Sequence, residues 1–432
     1  MNKPYPCTVY KNEKLREEYR KYKHPSGLDI YIFPKEMTST YALFGTKYGS
    51  IHNQFREPNG DWMTVPDGIA HFLEHKLFTA EDGSDAFERF SEYGADANAY
   101  TSFNKTCYLF SCTDRFEESL AELLEFVTHP YFTPESVASE IGIIGEEIRM
   151  YDDNPSDRCF YGMLEAMYKN HSIRRNICGS AQSISQITAD LLYRCYHTFY
   201  QLSNMALVVC GNVSDEVVLR IADQHLSGHS DKYTVVCPNE NEAESPQVFE
   251  AYREQKMQVS KPIFNIGIKD VDIPKDGQTR QKKDAAMAIL NEMLFSRAGQ
   301  LYNQLIEKDM ISPSLSYGYS ISESVAYNSL AGEAEDPRAV LEEILTYLRG
   351  LNATDLPYED FLRGKRVMYA EFVKSFDSTD SIANNLFSFI CEDSEMLSYT
   401  ELLEQVTYEE VCDLFRTSFR EEAIALSVVS PL

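Results

Sequence analysis

The segment His71-Phe72-Leu73-Glu74-His75 combines three side chains that could support hydrolysis at a metal. Residues three and four apart on a helix share one face, so both imidazoles and the Glu74 carboxylate would project together. Two neutral imidazoles suit zinc, and the neighbouring carboxylate can accept a proton from a metal-bound water. The spacing therefore predicts a hydrolytic zinc site on a helix; the alternative is a helix with two histidines by coincidence.

A catalytic zinc needs a third protein ligand and an open position for water. A second helix is predicted after Thr133-Pro134-Glu135, where a capping threonine precedes a proline in the first turn. Glu140 and Glu147 lie about two turns apart on this helix and so share a face. We predict Glu147 as the third ligand and Glu140 as a further residue of the catalytic site that hydrogen-bonds within it. The alternative is a solvated acidic stripe.

The elements that carry these residues occur in a chain that repeats itself. Asp67–Thr79 aligns with Asp284–Ser296, and Ile187–Gly211 aligns with Val406–Ser430 at nearly the same offset. The second pair is predicted as a helix followed by an apolar strand. Two matches in the same order predict a duplicated domain.

Strands and helices are segregated rather than strictly alternating, which favours an α+β fold with helices packed on an antiparallel sheet in each domain. Leu28–Pro34 and Thr106–Cys112 have the pattern of half-buried strands. The most polar stretch is 227–258, so we predict domains at 1–226 and 259–432 with a linker between them. The middle of that linker, 232–238, could itself be a strand.

Composition limits the possible functions of this chain of 432 residues. Its formal charge of −27 argues against nucleic acid and anionic membranes as partners. No apolar run is long enough to span a bilayer, and the N-terminal stretch lacks the pattern of a signal peptide. The ten cysteines are scattered without CxxC pairs. These features predict a reduced, cytoplasmic protein.

HFLEH is the inverted zinc motif, and the chain resembles the family of pitrilysin, the insulin-degrading enzyme and the mitochondrial processing peptidases, especially its small bacterial two-domain members. That family pairs the motif with a glutamate seventy-odd residues downstream and another glutamate seven residues before it, the positions of Glu147 and Glu140. Two further stretches are similar to the family pattern: GADANAYTSFNKTCYLF (94–110) and YHTFYQLSNMALVVCGNV (196–213). In the second, Leu202 stands where the family usually has proline.

The resemblance implies two homologous domains that form a clam-like enclosure, with one Zn²⁺ per chain bound by His71, His75 and Glu147. It implies a zinc metalloendopeptidase that hydrolyses peptides or short unfolded polypeptides, using a zinc-activated water and Glu74 as the general base. Ala288 and Glu292 occupy the places of the two histidines in the second domain, which has therefore lost the metal site.

The strand around Asn98, Ala99 and Tyr100 is expected to bind the substrate backbone as an added β-strand. The alternative is an ordinary edge strand whose asparagine ends a turn.

One departure from the family concerns the second domain. Active members usually carry an arginine there and a tyrosine seven residues later, whereas this chain has Ile306 and Pro313 at those places. Tyr317 or Tyr319 could replace the tyrosine. Loss of a cationic oxyanion group would slow catalysis by orders of magnitude unless another group replaces it. The chain is therefore expected to work as a homodimer, or as a heterodimer with a related subunit that lacks HxxEH. The alternative is a noncatalytic or half-site subunit whose partner supplies the Arg/Tyr pair.

Overall fold

The structure is a computed structural model and describes residues 5–57, 60–229, 234–238, 244–352 and 356–432. The strands within these ranges are β1 Cys7–Asn12, β2 Glu17–Lys23, β3 Asp29–Pro34, β4 Thr40–Thr46, β5 Gln54–Arg56, β6 Trp62–Thr64, β7 Asp96–Thr101, β8 Thr106–Cys112, β9 Met205–Gly211, β10 Tyr252–Met257, β11 Ile263–Asp270, β12 Ser316–Ile321, β13 Ala326–Glu333 and β14 Ile424–Pro431. The α-helices are α1 Ile69–Leu77, α2 Ala86–Tyr93, α3 Phe116–Thr128, α4 Pro134–Asp152, α5 Pro155–Met167, α6 Ala181–Ile184, α7 Ala189–Phe199, α8 Asp215–Leu226, α9 Gly277–Phe295, α10 Gln300–Glu307, α11 Pro337–Gly350, α12 Tyr358–Lys374, α13 Thr379–Cys391, α14 Tyr399–Gln405 and α15 Tyr408–Ser418. Among the described helices, none is long and apolar enough to cross a membrane.

Two sheets with the same topology organise the chain. The first has the order β1-β2-β3-β9-β4-β8-β7 and the second has the order β10-β14-β11-β13-β12. The last five strands of the first sheet match the second sheet in order and direction, because β3–β9 and β10–β14 are the parallel pairs and the other neighbours are antiparallel. The predicted α+β class is confirmed, and each predominantly antiparallel sheet contains one parallel pair.

The register of the two sheets agrees with the predicted duplication. In the first sheet Gly45 of β4 is opposite Ala206 of β9, and in the second sheet Gly267 of β11 is opposite Ala425 of β14. The second aligned pair of segments forms α7 with β9 and α15 with β14, each a helix followed by a central strand. Both halves therefore bring their last strand into the middle of the sheet.

The predicted division into domains remains a proposal, although the structure locates part of the predicted linker. Tyr252–Met257, inside the stretch 227–258, forms the edge strand β10 of the second sheet. Residues 232 and 233 of the possible linker strand lie outside the described residues, and 234–238 does not form a strand. A second domain that begins before Tyr252 fits the sheet better than one that begins at residue 259.

Each half buries its main core between one face of its sheet and its own helices. Phe72 and Leu73 of α1, Leu123 of α3 and Leu192 of α7 belong to the core of the first half. The corresponding core of the second half includes Leu290 of α9. The motif helix α1 is thus held in place by its apolar side chains, which leaves its polar face for chemistry.

The other face of each sheet is covered by a helix from the opposite half. Helix α13 packs against β4 and β9 of the first sheet, and α5 packs against β11 and β14 of the second. At the first contact a Cβ atom on Gly45 would lie 2.2 Å from Cζ of Phe387. At the second, a Cβ atom on Gly267 would lie 2.5 Å from Sδ of Met167 and 2.7 Å from Cγ of Met163. Equivalent glycines therefore permit equivalent helix contacts.

We expect Gly45→Ala to lower the free energy of unfolding by about 1–3 kcal/mol, because the added methyl group would overpack the contact with Phe387. Urea titration measures this change. Phe387→Leu in the same chain should make the double variant lose less than the sum of the two single variants. Gly318→Ala is the matched control, since its Cβ would meet nothing within 4 Å. Equal losses for Gly45→Ala and Gly318→Ala would contradict the packing argument.

Candidate metal centre

Two glycines set the position at which the motif helix begins. Gly68 precedes α1 with a φ of 91°, and a Cβ atom there would lie 2.4 Å from the Cys178 carbonyl oxygen. Gly179 has a φ of 75°, and its Cβ would lie 2.4 Å from the Asp67 carbonyl oxygen. Because no side chain fits at either position, the segment that ends at Gly179 passes directly against the start of α1.

The three predicted metal ligands come together from α1 and α4. His71 Nε2 lies 3.6 Å from Glu147 Oε1, and His75 Nε2 lies 3.4 Å from Glu147 Oε2. The two imidazole ring centroids are 4.6 Å apart. One ligand atom from each residue can be chosen so that all three lie within 4.8 Å of one another. Two imidazole nitrogens and a carboxylate oxygen are a ligand set that fits zinc with an open fourth position.

The electrostatics of these residues reflect close pairing. The close imidazoles of His71 and His75 hold the pKa of Glu147 well below its ordinary range. Burial alone would lower the pKa of His75, but its hydrogen bonds to Glu140 and Glu147 raise it to about 9. The carboxylates therefore stabilise positive charge between α1 and α4. The same electrostatic potential would stabilise a bound metal cation.

Glu140 holds the second histidine rather than adding a ligand. Its Oε1 lies 3.1 Å from His75 Nδ1, and its Oε2 lies 3.4 Å from Nζ of the buried Lys76. A carboxylate on the far nitrogen of a metal-binding imidazole fixes the orientation of the ring. Sequence reasoning missed Lys76, although its position next to His75 at the end of a helix that faces Glu140 was a usable signal.

Glu74 is the predicted general base and is 7% exposed. Burial raises its pKa, while His71, Thr101 and His75 oppose that rise. The Thr101 hydroxyl, at the end of β7, donates a hydrogen bond of 2.5 Å to Glu74 Oε2. The sequence analysis missed Thr101, which directly follows the predicted substrate strand. The arrangement leaves a partly desolvated carboxylate beside the two imidazoles, suited to taking and returning a proton.

The predicted substrate-binding residues lie on β7, one of the two edge strands of the first sheet. Asn98, Ala99 and Tyr100 line a cavity of about 690 Å³ together with the metal-binding residues and Glu74. The Tyr100 hydroxyl donates to Asn384 Oδ1 on α13, so the second half anchors this strand. The location of these residues is compatible with β-strand addition, and their binding role remains a prediction.

A wall of the cavity that the sequence analysis did not identify consists of Asn176, Ile177 and Cys178. The chain enters this segment through a turn at 169–171 that is tied to Glu244. The Glu244 carboxylate accepts hydrogen bonds from the Asn170 and His171 amides at 2.5 and 2.6 Å and from Lys269 Nζ at 2.7 Å. The Glu244 and Lys269 side chains are each 1% exposed. One carboxylate thus joins the region between the halves to β11 and to the turn that precedes the cavity wall.

We expect Glu244→Ala to lower the free energy of unfolding by about 3–5 kcal/mol at pH 7, because it leaves Lys269 charged, buried and unpaired. Burial alone raises the pKa of Glu244, but Lys269 and the backbone amides bring it below its ordinary value. A lowered folded-state pKa gives stability that is present above the unfolded pKa and is lost as the pH falls through the folded pKa. The deficit of the variant should therefore be largest near pH 7 and shrink in acid.

Urea titrations across this pH range measure the deficit, with Glu250→Ala as the control because Glu250 is 41% exposed and pairs with Arg253 at the surface. A deficit that does not change with pH, or one that the control reproduces, would contradict the role of the buried pair.

The equivalent place in the second half has different chemistry. Ala288 and Glu292 replace the histidines, as the alignment predicts, and the Tyr317 hydroxyl donates to Glu292 Oε2 at 2.6 Å. Asn291 takes the place of Glu74 and donates to Asn328 at 2.7 Å. The only metal-binding cluster found among the described residues is the one on α1 and α4.

Comparisons with known proteins match almost the whole length of the chain. Residues 64–181 match the family model described as Insulinase (Peptidase family M16), and 186–368 match the Peptidase M16 inactive domain. The Bacillus subtilis (strain 168) protein named Uncharacterized zinc protease YmfH is 38% identical over 425 residues, which cover 97% of this chain and 98% of that protein.

Solved structures show the same likeness. A protein from Alicyclobacillus acidocaldarius, described as M16-like, superimposes with a TM-score of 0.90 at 30% identity, covering 96% of this chain and 99% of that one. A protease from Helicobacter pylori has a TM-score of 0.81 at 16% identity, covering 96% of this chain and 100% of that one, which is a likeness of fold.

Proposed function

Because the chain belongs to the M16 family of peptidases, we propose that it is a zinc-dependent endopeptidase that hydrolyses peptides or short unfolded polypeptides. The observation that carries this proposal is the convergence of His71, His75 and Glu147 beside a buried Glu74 in one cavity. A protein that needed the metal only for stability would have no use for Glu74. A structural zinc site is also usually closed by four protein ligands.

Each residue of the centre has a distinct task in this proposal. His71, His75 and Glu147 would hold the zinc, which when bound lowers the pKa of water and polarises a peptide carbonyl. Glu74 accepts the proton of the attacking water and returns it to the leaving amine. Thr101 holds the Glu74 carboxylate in place, and Glu140 fixes the ring of His75. These contacts position the base before a substrate arrives.

The substrate would bind as an extended strand beside β7. Main-chain hydrogen bonds to an edge strand do not depend on side-chain identity, so varied peptide sequences could be accepted. The described cysteines are free thiols, which fits a reducing compartment and supports a cytoplasmic location within the same proposal.

A second candidate function is that of a subunit that needs a partner to complete the site. The side chains of the second half at the places of the family's Arg/Tyr pair favour it. The Tyr317 hydroxyl donates to Glu292 and the Tyr319 hydroxyl donates to Asp270 at 2.8 Å. Both hydroxyls donate hydrogen bonds within their own half, which argues against either of them substituting for the family's tyrosine. Ile306 cannot replace the cationic group. A related subunit without HxxEH that carries the Arg/Tyr pair would supply both.

We expect the purified protein to hold one zinc per chain and Glu74→Gln to retain that zinc while kcat/KM for a quenched peptide falls by about 100- to 10,000-fold. Glu146→Gln is the matched control, because Glu146 is on the exposed side of α4 and pairs with Arg149. His71→Ala should instead lose the metal. Metal content by mass spectrometry and cleavage by fluorescence test both. A Glu74→Gln variant as active as Glu146→Gln would refute the mechanism.

The same assay separates the two candidate functions. Robust cleavage by this chain alone would remove the need for a partner. Cleavage that appears only after a related Arg/Tyr-bearing chain is added, and that still requires Glu74, would establish the half-site function. Light scattering of each mixture gives the stoichiometry, and this measurement distinguishes a homodimer from a heterodimer.

A further inference from the structure

A second cavity adjoins the cavity of the metal centre. Its volume is about 510 Å³, and Tyr161 and Asn176 line both cavities. Four arginines also line it, and we call them the arginine cluster: Arg149, Arg158, Arg174 and Arg175. The chain as a whole has 40 basic and 67 acidic residues. Four guanidinium groups around one cavity therefore stand out against the charge of the chain.

Three segments of the first half supply the arginine cluster. Arg149 lies in the last turn of α4, the helix that also carries a predicted metal ligand. Arg158 lies near the start of α5, and Arg174 and Arg175 directly precede the wall of the metal cavity at 176–178. The same helix and the same wall thus border both cavities, so an extended peptide can pass from the metal centre to the arginine cluster.

The acids of the second cavity do not balance the arginine cluster. Among the described residues, Asp67, Asp152 and Glu165 line this cavity. Glu165 pairs at 2.7 Å with Arg253, which is not part of the cavity lining. The charge of Glu165 is therefore already neutralised from outside. Two acids of the lining then face four arginines, and the wall keeps an excess of positive charge.

Arg174 is the member of the cluster without a carboxylate partner in the part of the chain that the structure describes. The other three arginines each pair with one acid: Arg149 with Glu146, Arg158 with Asp152 and Arg175 with Asp67. The Nε atom of Arg174 is buried and has no hydrogen-bond partner among the described residues. A buried donor without an acceptor is unfavourable, so this side chain would gain from a ligand that accepts its hydrogen bonds.

The Arg174 guanidinium is open to such a ligand, because the residue is only partly buried and lines the cavity. The centroid of the Phe249 ring lies 5.9 Å from its guanidinium carbon and supports it. A planar guanidinium offers paired N–H groups that match the two oxygens of a carboxylate. Arg158 and Arg175 can join the same site, because the side chains of their ion pairs are 32–51% exposed and such pairs contribute little to stability.

The metal cavity has the opposite charge. Asp85 and Asp157 line it together with the three glutamates of the metal centre. Five carboxylates exceed the charge of one bound dication. A peptide that extends through both cavities would therefore meet negative potential around the metal centre and positive potential at the arginine cluster. This polarity favours an acidic group on the part of the peptide that reaches the arginines.

We propose that the arginine cluster binds a carboxylate of the peptide substrate, with Arg174 as its main contact, while the bond to be cleaved lies at the metal centre. The carboxylate belongs to an Asp or Glu side chain or to the free C-terminus of the peptide. This inference rests on the proposed function and names its substrate class: peptides with an acidic group at a fixed distance from the cleaved bond.

The test uses the whole protein with zinc and quenched peptides in which one Glu, or one Gln, is moved through each position on either side of the cleaved bond. At one position kcat/KM should be about tenfold higher for Glu than for Gln. Arg174→Gln should bring this ratio to about one, and Arg174→Glu should shift the preference at that position to Lys. Arg349→Gln is the matched control, because Arg349 is 50% exposed and pairs with Glu421 on the second half.

A second pair of peptides distinguishes the two sources of the carboxylate. Peptides that end in a free acid or in an amide are compared at each length. A preference that follows the position of Glu identifies a side chain as the ligand, and a preference that appears only with the free acid identifies the C-terminus. Either preference should disappear in Arg174→Gln.

A binding measurement makes the test independent of cleavage. Fluorescence anisotropy with labelled Glu and Gln peptides on Glu74→Gln protein should show the same selectivity, and Arg158→Gln should reduce it if the Arg174 variants do not fold. Equal affinities and equal cleavage for all Glu and Gln pairs and for both C-terminal forms, or a preference that survives Arg174→Gln, would overturn the inference. Cleavage without any preference would leave the peptidase function intact, whereas selective binding without cleavage would count against that function alone.

Discussion

The packing of each half's helix on the sheet of the other half is the constraint on which the rest of the structure depends. Helices α13 and α5 give both sheets a second buried face, and Gly45 and Gly267 allow the close approach. Interiors of this density do not tolerate partial separation. A hinge between the two halves would expose both shared cores at once. The packing therefore opposes any movement that would separate the two halves.

The charge balance around the metal centre differs from that at the equivalent place in the second half. Glu74, Glu140 and Glu147 place three carboxylates in a largely buried space, with the Lys76 ammonium beside Glu140. A dication bound there would offset the remaining repulsion. In the second half the equivalent of Glu74 is neutral, and the remaining acid, Glu292, is satisfied by a tyrosine hydroxyl. The second half therefore lacks the excess of buried negative charge that a metal would offset.

Local patterns in the sequence predicted much of the site. The spacing within HFLEH and the two-turn separation of Glu140 and Glu147 depend only on helix geometry, and the structure brings these residues together. Thr106–Cys112 was predicted as a strand and forms β8 with the same bounds. The duplicated order of helix and strand was visible because apolar periodicity survives after other similarity has faded.

What the sequence analysis missed depends on contacts between distant segments. Glu244 appears in the sequence as one acid in a charge-dense stretch, and only the fold brings it to Lys269 and the turn before the cavity wall. Thr101 requires the pairing of β7 with β8 and the position of α1. The exchange of α5 and α13 leaves no periodic signal, because an amphipathic helix has the same pattern whichever sheet it covers.

The interleaved order of strands and covering helices also determines when each part of the fold can form while the chain is being synthesised. Strand β9 inserts between β3 and β4, so the first sheet is incomplete until the chain has been made through Gly211. Its outer face, with Leu43 and Val208, then lacks its cover until α13 has been translated. An apolar surface is thus exposed on the nascent chain while about 180 further residues are added. The exchange that unites the two halves therefore leaves an aggregation-prone apolar surface on the nascent chain until the second half follows.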